Sequence, residues 1–240
     1  MRPIIEPPFC KFLRWIVGVV YPKMELVGLE NLPEDAFVLV GNHSQAHGAI
    51  VAEERLPFDH YTWCAWQMMD KKEVSRYAYT DFWQDKPKAV RWIFWLASKI
   101  IKYPAVYIMT HARTIPVYHD SRCLTTFRRS IEKLQDGYSL VIFPEGTRNK
   151  GEELTMLPFK EGAFKIATKT GCPIVPISMN NTAEIFENHF PKIKKTHVVL
   201  EYGTPIYPNE LDKDVKKHIG SYVQNIMDET IHKNAALINN

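Results

Sequence analysis

Along this chain, short runs of β-branched and aliphatic residues alternate with stretches of helical period, and two of the runs stop abruptly at polar residues. Phe37-Val38-Leu39-Val40 leads to Asn42-His43-Ser44, and Ser139-Leu140-Val141-Ile142 leads to Phe143-Pro144-Glu145-Gly146-Thr147-Arg148. Continuous apolar runs of this length read as strands buried on both faces, so both motifs are expected at one edge of a sheet. Further strands are predicted over 24–29, at a sheet edge, and over 62–67, 114–118, 172–179 and 196–202. Pro173 and Pro176 withhold amide hydrogens from the 172–179 strand, which places it at an edge or beside a bulge.

Helical spacing recurs between these runs. Phe9, Phe12, Leu13, Ile16, Val17 and Val20 form one stripe over 9–20, with Lys11, Arg14 and Lys23 off it or just past its end. Such a segment suits either a membrane surface or ordinary packing on a core. Leu124, Phe127, Ile131 and Leu134 define a helix over 121–135, ended by Gly137. Another runs over 160–170 to Gly171. A C-terminal helix from about residue 210 carries Leu211, Val215, Ile219, Tyr222, Val223 and Ile226 on one face. The aromatic segment 89–109, interrupted by Lys99, Lys102 and Pro104, is expected as an interfacial hairpin, with a helix covering the sheet as the alternative. Strands alternating with helices predict an α/β fold: a single domain over 1–240 with a mixed, largely parallel sheet flanked by helices.

Composition adds two constraints. The net charge of +3 in 240 residues gives no electrostatic footprint for nucleic acid. The distribution is more telling, because Lys86, Lys88, Arg91, Lys99 and Lys102 occur without an intervening acid and among Trp92, Phe94 and Trp95. That pattern suits an anionic lipid surface. Cys10, Cys64, Cys123 and Cys172 are scattered, which argues against a disulfide framework and for reduced thiols in a cytosolic compartment. No apolar run approaches the roughly 20 residues of a spanning helix, and Lys11 and Arg14 interrupt the N-terminal stretch. The chain is therefore expected to lie on the cytoplasmic face of the cell membrane, as a peripheral or monotopic protein.

The chemistry concentrates in the two strand-end motifs. A neutral His43 imidazole can accept a hydroxyl proton near neutral pH, although a histidine after a strand can also be purely structural. Glu145 offers a carboxylate, Gly146 close backbone approach, Thr147 a hydroxyl, and Arg148 a fork suited to phosphate. Lys160 precedes a helix N-terminus, with Gly162 leaving room for an anion there, and would complete a two-cation phosphate site. A surface turn with incidental charges is the competing reading. His43 and His47 have the spacing of a helical metal pair, but zinc needs a third ligand that the sequence does not offer, so no metal is expected.

These motifs, in this order, resemble the glycerolipid acyltransferase family typified by 1-acylglycerol-3-phosphate acyltransferases. Asn42-His43-Ser44 is similar to the start of that family's His-x4-Asp signature. Thr114-Ile115-Pro116-Val117-Tyr118-His119-Asp120 is similar to its second block, Phe143 to Arg148 to its third, and Ile174-Val175-Pro176-Ile177 to its fourth. The resemblance implies acyl transfer from an acyl-CoA or acyl carrier protein thioester to the free hydroxyl of a lysophosphatidate-like lysophospholipid, with no further cofactor. It implies His43 as general base, Glu145 as an orienting or structural carboxylate, and Gly146, Thr147, Arg148, Lys160, Arg122 and His119 as substrate-binding residues. Two departures stand out. The signature's aspartate falls at Gly48, and the second block's usual arginine falls at His119, with Arg113 and Arg122 nearby. Glu145 or His47 would then have to support His43. A lysolipid-binding protein without acyl transfer, and a thioester hydrolase, are the alternatives.

Overall fold

The computed structural model describes residues 8–20, 24–43, 49–50, 53, 55–84, 86–149, 154–183, 186–187, 190–193 and 197–238. Seven strands form one sheet: β1 (Met24–Val27), β2 (Val38–Gly41), β3 (His60–Ala65), β4 (Thr114–Val117), β5 (Ser139–Ile142), β6 (Ile174–Asn180) and β9 (Val198–Tyr202). Their order is β1-β9-β6-β2-β5-β3-β4. The five strands from β6 to β4 are mutually parallel, and β9 runs antiparallel to β6 with β1 parallel to β9. A separate two-stranded ribbon pairs β7 (Phe186–Glu187) with β8 (Phe190–Ile193). The mixed, largely parallel α/β sheet is thus the one that the apolar runs imply.

The central strands are buried on both faces, which is why their sequences read as unbroken apolar runs rather than alternating ones. Val38, Val40, Leu140 and Ile142 point to one side and pack with Phe164, Ile166, Val223 and Met227. Those four belong to α5 (Gly162–Thr170) and α7 (Ile219–Ile238). Phe37, Leu39, Val141 and Phe143 point to the other side, against Phe58, Val175, Met179 and Leu200.

Two expectations are corrected and one is decided. First, of the edge or bulge expected for β6 the edge is excluded, since the strand lies between β2 and β9. Pro176 is tolerated there because its carbonyl, accepting from Gly203 N–H at 2.8 Å, shows that its missing hydrogen faces the β9 side. On that side pairing with β9 ends at Ile177–Tyr202 and resumes as an isolated bridge between Ile174 and Ile206, so one strand carries an extra residue opposite the proline. Second, the predicted hairpin is a single 21-residue helix, α3 (Arg91–His111). No Gly, Asn or Asp occurs between residues 89 and 113 to reverse the chain, and the φ of Pro104 suits a helix even though its amide hydrogen is lost. Third, the C-terminal segment is two helices, α6 (Lys213–Lys217) and α7, broken at His218.

The helix α1 (Pro8–Val20) forms as its stripe predicts. Between β3 and α3 lies α2 (Val74–Ala78), which runs directly into one π-helical turn, Tyr79–Trp83, and α4 (Cys123–Gln135) connects β4 to β5. Among the described residues no helix is long and apolar enough to cross a membrane.

One buried side chain ties β2 to β6 where the backbone ladder runs out. Asn42 donates from Nδ2 to the Met179 carbonyl at 3.0 Å and accepts the Met179 N–H on Oδ1 at 2.9 Å. Asn42→Ala orphans both buried groups, at about 1–3 kcal/mol each. The expected outcome is a clear drop in the denaturant midpoint with an unchanged slope, measured by equilibrium unfolding.

Candidate active site

Parallel strands deliver the residues at their carboxyl ends to one side of the sheet, and the cavity lies there, as α/β sheets generally place their sites. It has a volume of about 750 Å³. His43 enters from the end of β2, Gly146 to Arg148 from the loop after β5, His119 from the loop after β4, and Lys160 from the loop before α5. Other parts of the wall are apolar, with Met68, Ile108, Met109, Val117 and Phe127.

The loop after β5 builds the backbone around His43. Glu145 is 3% exposed and does not itself line the cavity. Its Oε1 accepts the His43 backbone N–H at 2.5 Å, and its Oε2 accepts the Leu157 N–H at 2.9 Å. The Asn149 N–H in turn donates to the His43 carbonyl at 2.9 Å. His43 is therefore gripped at both of its peptide groups by the Phe143–Asn149 segment, and its ring lies 4.9 Å from that of Phe143. Burial pushes the Glu145 carboxyl up from its ordinary value, and the two amides offset part of the rise. This carboxylate orients His43 through the main chain rather than through the imidazole.

Gly146 is favoured by its backbone and accommodates a close neighbour. Its φ of +68° is left-handed, and a β-carbon there would stand 2.5 Å from Lys160 Nζ and 2.8 Å from Lys160 Cδ. The Lys160 stem thus runs across the open face of Gly146, while its backbone N–H donates to the Pro144 carbonyl at 2.8 Å. Lys160 and Thr147 are both exposed at the cavity mouth.

Arg148 is held differently. Nε donates to Asp81 Oδ2 at 2.9 Å, Nη2 donates to the Asp81 carbonyl, and the guanidinium carbon sits 4.1 Å from the centre of the Phe82 ring. All three contacts come from the π-helical turn, and only 15% of the Arg148 side chain is exposed.

Comparison with known proteins bears on the family and the fold. A family model described as Acyltransferase matches residues 23–180. The chain belongs to the acyltransferase family. A 1-acyl-sn-glycerol-3-phosphate acyltransferase of Borreliella burgdorferi is 27% identical over 73% of this chain and 57% of its own length. One from Saccharomyces cerevisiae is 32% identical over 45% of this chain and 35% of its own. The matched region thus spans between about a third and somewhat over half of these relatives' lengths. The crystal structure of the 1-acyl-sn-glycerophosphate (LPA) acyltransferase PlsC from Thermotoga maritima superimposes with a TM-score of 0.61 at 19% identity, covering 93% of this chain and 77% of that one, and so shares its fold.

Within this member of the family, the predicted site residues separate into two groups. His43, His119, Gly146, Thr147, Arg148 and Lys160 share the cavity. Arg122 does not line it. Its guanidinium is taken by Asp120 and stacks 4.6 Å from the Trp66 ring and 4.2 Å from the Tyr118 ring. The same hydrogen bonds hold the Asp120 carboxyl down at about 2. Arg113, the other suggested stand-in, precedes β4 at the opposite end of the strand, paired with the buried Asp59. Arg113 is thus at the other end of the strand, whereas Arg122 stands beside the cavity, stacked on the lining Tyr118, without forming part of its wall. Ser44, His47 and Gly48 lie outside the described residues.

One cavity-lining group went unread in the sequence. Glu53 accepts from the Thr62 hydroxyl on Oε1 and faces His60 Nε2 at 3.0 Å on Oε2. His60 Nδ1 faces the Phe58 carbonyl at 2.8 Å, which can only accept, so Nδ1 carries a hydrogen. A second proton must then lie between Nε2 and the Glu53 carboxylate, whichever of the two holds it. Glu53 follows His43 by ten positions and no strand-end pattern marks it. Beside it, burial and then Glu53 push the Cys64 thiol up to about 12, so the cavity holds no thiolate nucleophile at that position near neutral pH.

Glu145→Gln turns one acceptor into a donor opposite a backbone N–H. It is expected to cost about 1–3 kcal/mol of stability, and catalysis should fall with it because the His43 peptide loses its anchor. Urea unfolding and acyl-transfer assays on the same preparation check both outcomes.

Proposed function

We propose that this protein transfers an acyl group from an acyl-CoA or acyl carrier protein thioester to the free hydroxyl of a lysophosphatidate-like lysophospholipid, in phospholipid biosynthesis. The observation that carries the reading is the meeting of a strand-end histidine with Lys160 and Arg148 in one largely apolar cavity. The family membership supports acyl transfer, and the names of the relatives support a glycerophosphate acceptor.

In this mechanism the acceptor's phosphate rests against Lys160 and Arg148, which brings the neighbouring hydroxyl to His43. The neutral imidazole takes the hydroxyl proton as the oxygen attacks the thioester carbonyl. An oxygen–carbon bond forms, the carbon–sulfur bond breaks, and the imidazolium returns its proton to the leaving thiolate. The apolar walls accommodate an acyl chain and keep water from the thioester. Held at both peptide groups, His43 supplies much of its contribution through placement, since fixing reactants in register accounts for a large part of such rate enhancements.

The setting proposed is the cytoplasmic face of the cell membrane. Phe12, Trp15 and Val19 on α1 are exposed, as are Trp92, Trp95, Ile100 and Tyr103 on α3. The two helices meet through Phe9 and Tyr107, whose rings are 5.7 Å apart. Lys99 and Lys102 lie over Trp95 and Tyr103, so cations sit at the edge of the aromatic face, an arrangement suited to anionic headgroups.

A second reading, a lysolipid-binding protein that transfers nothing, is favoured by one residue: Gly48, where a carboxylate would otherwise support the base. Incubation with acyl-CoA and a panel of labelled lysolipids distinguishes the two. Diacyl product is expected, and His43→Ala should abolish it. Product formed by His43→Ala at the wild-type rate would remove the base assignment, and binding without product would establish the second reading. Sedimentation with vesicles tests the membrane setting. Replacing Trp15, Trp92 and Trp95 together by Ser should weaken binding to anionic vesicles at least about tenfold, given the apolar burial each ring would lose.

A further inference from the structure

Two demands on Arg148 pull against each other. A guanidinium that grips phosphate must keep donors open toward the ligand, yet a long side chain costs affinity if it is ordered only when the ligand arrives. The turn 79–83 meets both. Asp81 takes Nε through its carboxylate and Nη2 through its carbonyl, so one edge of the fork is spent. Phe82 covers a flat face, its ring centre 4.1 Å from the guanidinium carbon. The end formed by Nη1 and Nη2 keeps the remaining N–H groups, enough for a bidentate contact with phosphate. Arg148 lines the cavity, and that end is what it can offer there.

Asp81 is poorly placed without this partner. The helix α2 and the π-helical turn are continuous from Val74 to Trp83, which puts Asp81 in the last turn of a helical segment. A carboxylate there faces the negative end of the helix dipole, and the Asp81 carbonyl is among the last four, which have no helical N–H to meet. One guanidinium answers both, as a cation for the carboxylate and a donor for the carbonyl. The turn is itself anchored from α3. Trp83 packs on Phe94 with ring centres 5.8 Å apart, and the Ser75 hydroxyl of α2 donates to the Ser98 carbonyl at 3.0 Å. Only 15% of the Arg148 side chain and 24% of the Asp81 side chain are exposed, so water screens the pair weakly.

We propose that Asp81 is a positioning residue, which holds Arg148 in the orientation that receives the acceptor's phosphate, with Phe82 closing the clamp. Asp81 acts through Arg148 and not on the reacting atoms. The inference rests on reading the cavity as the acceptor site. It requires that Asp81 and Arg148, 67 positions apart, be coupled in ligand binding.

The test is a double-mutant cycle read by calorimetric binding of a short-chain 1-acylglycerophosphate, alongside acyl-transfer kinetics with the same lipid. Asp81→Ala is expected to weaken binding about tenfold, the scale of ordering one long side chain, and to raise KM with kcat within about twofold of wild type. With Arg148→Ala already present, the same change should shift affinity by less than about twofold. Asp81→Asn keeps an acceptor for Nε and should recover most of the loss. Phe82→Leu keeps bulk but removes the ring face. It should cost about threefold, again only while Arg148 is present, and it carries the cycle if Asp81→Ala does not fold. The proposal is overturned if wild type does not bind the lipid, if Asp81→Ala binds it as wild type does, if Arg148→Ala alone leaves binding unchanged, or if the loss in either variant is the same without Arg148. Coupled binding with no acylated product would sink the acyl-transfer reading and leave the clamp standing. Acylation and binding by Asp81→Ala at wild-type levels would do the reverse.

Discussion

A buried carboxylate grasping two backbone amides is the constraint on which the rest of this site depends. Glu145 bridges the His43 and Leu157 amides, joining the loop after β2 to the loop after β5 and to the segment leading into α5. The strands β2 and β5 are neighbours in register, so their carboxyl ends lie side by side before the bridge forms. The bridge then converts adjacency into a fixed position for His43. Charge-assisted hydrogen bonds to backbone donors suit this purpose, because the groups they hold have no rotamers of their own. An ionised carboxylate so deeply buried would be unfavourable without those amides, and so it also commits the loop to one conformation.

The same loop places the two cations in unlike environments. Lys160 crosses Gly146 and ends at the cavity mouth, where a compact ammonium can follow a ligand. Arg148 is planar and is clamped on one edge and one face by the turn 79–83. Local departures from regular helix, such as this π-helical turn, often occur where a side chain must be aimed. Here the departure brings the Asp81 carboxylate, the Asp81 carbonyl and the Phe82 ring onto one guanidinium. The guanidinium proposed to meet phosphate is thus built together with a carboxylate that already holds one of its edges.

Beyond the cavity, α3 illustrates how composition can suggest an exposed aromatic face and the wrong path for the chain. Aromatic and basic residues over 89–109 imply a segment that meets an interface, and the rings are indeed exposed. The expectation of a hairpin came from Pro104 and the two lysines. In the folded chain the lysines lie along the aromatic rings, and Ser98 turns inward, its carbonyl accepting from the Ser75 hydroxyl at 3.0 Å. One continuous helix satisfies its own backbone, whereas a hairpin without turn residues would not.

The local information in this chain was sufficient for the strands, for most helices and for the meeting of the two strand-end motifs. A run such as Val38–Val40, apolar at every position, is compatible with little except a strand covered on both faces. Gly146 announced a close approach, although not that the Lys160 stem would fill it. What residue order could not supply was partnership across long separations. Asp81 and Arg148 lie 67 positions apart, and no periodicity links an acid in one helix to a loop in another. Glu53 found His60 and Thr62 only once β3 was seated beside β5. Arg122 looked equivalent to Arg148 as a cation near a strand end, and the difference between them is which carboxylate each meets. Backbone preference is a local energy and can be read from neighbours, but charge compensation depends on distance in space, which the tertiary structure alone decides.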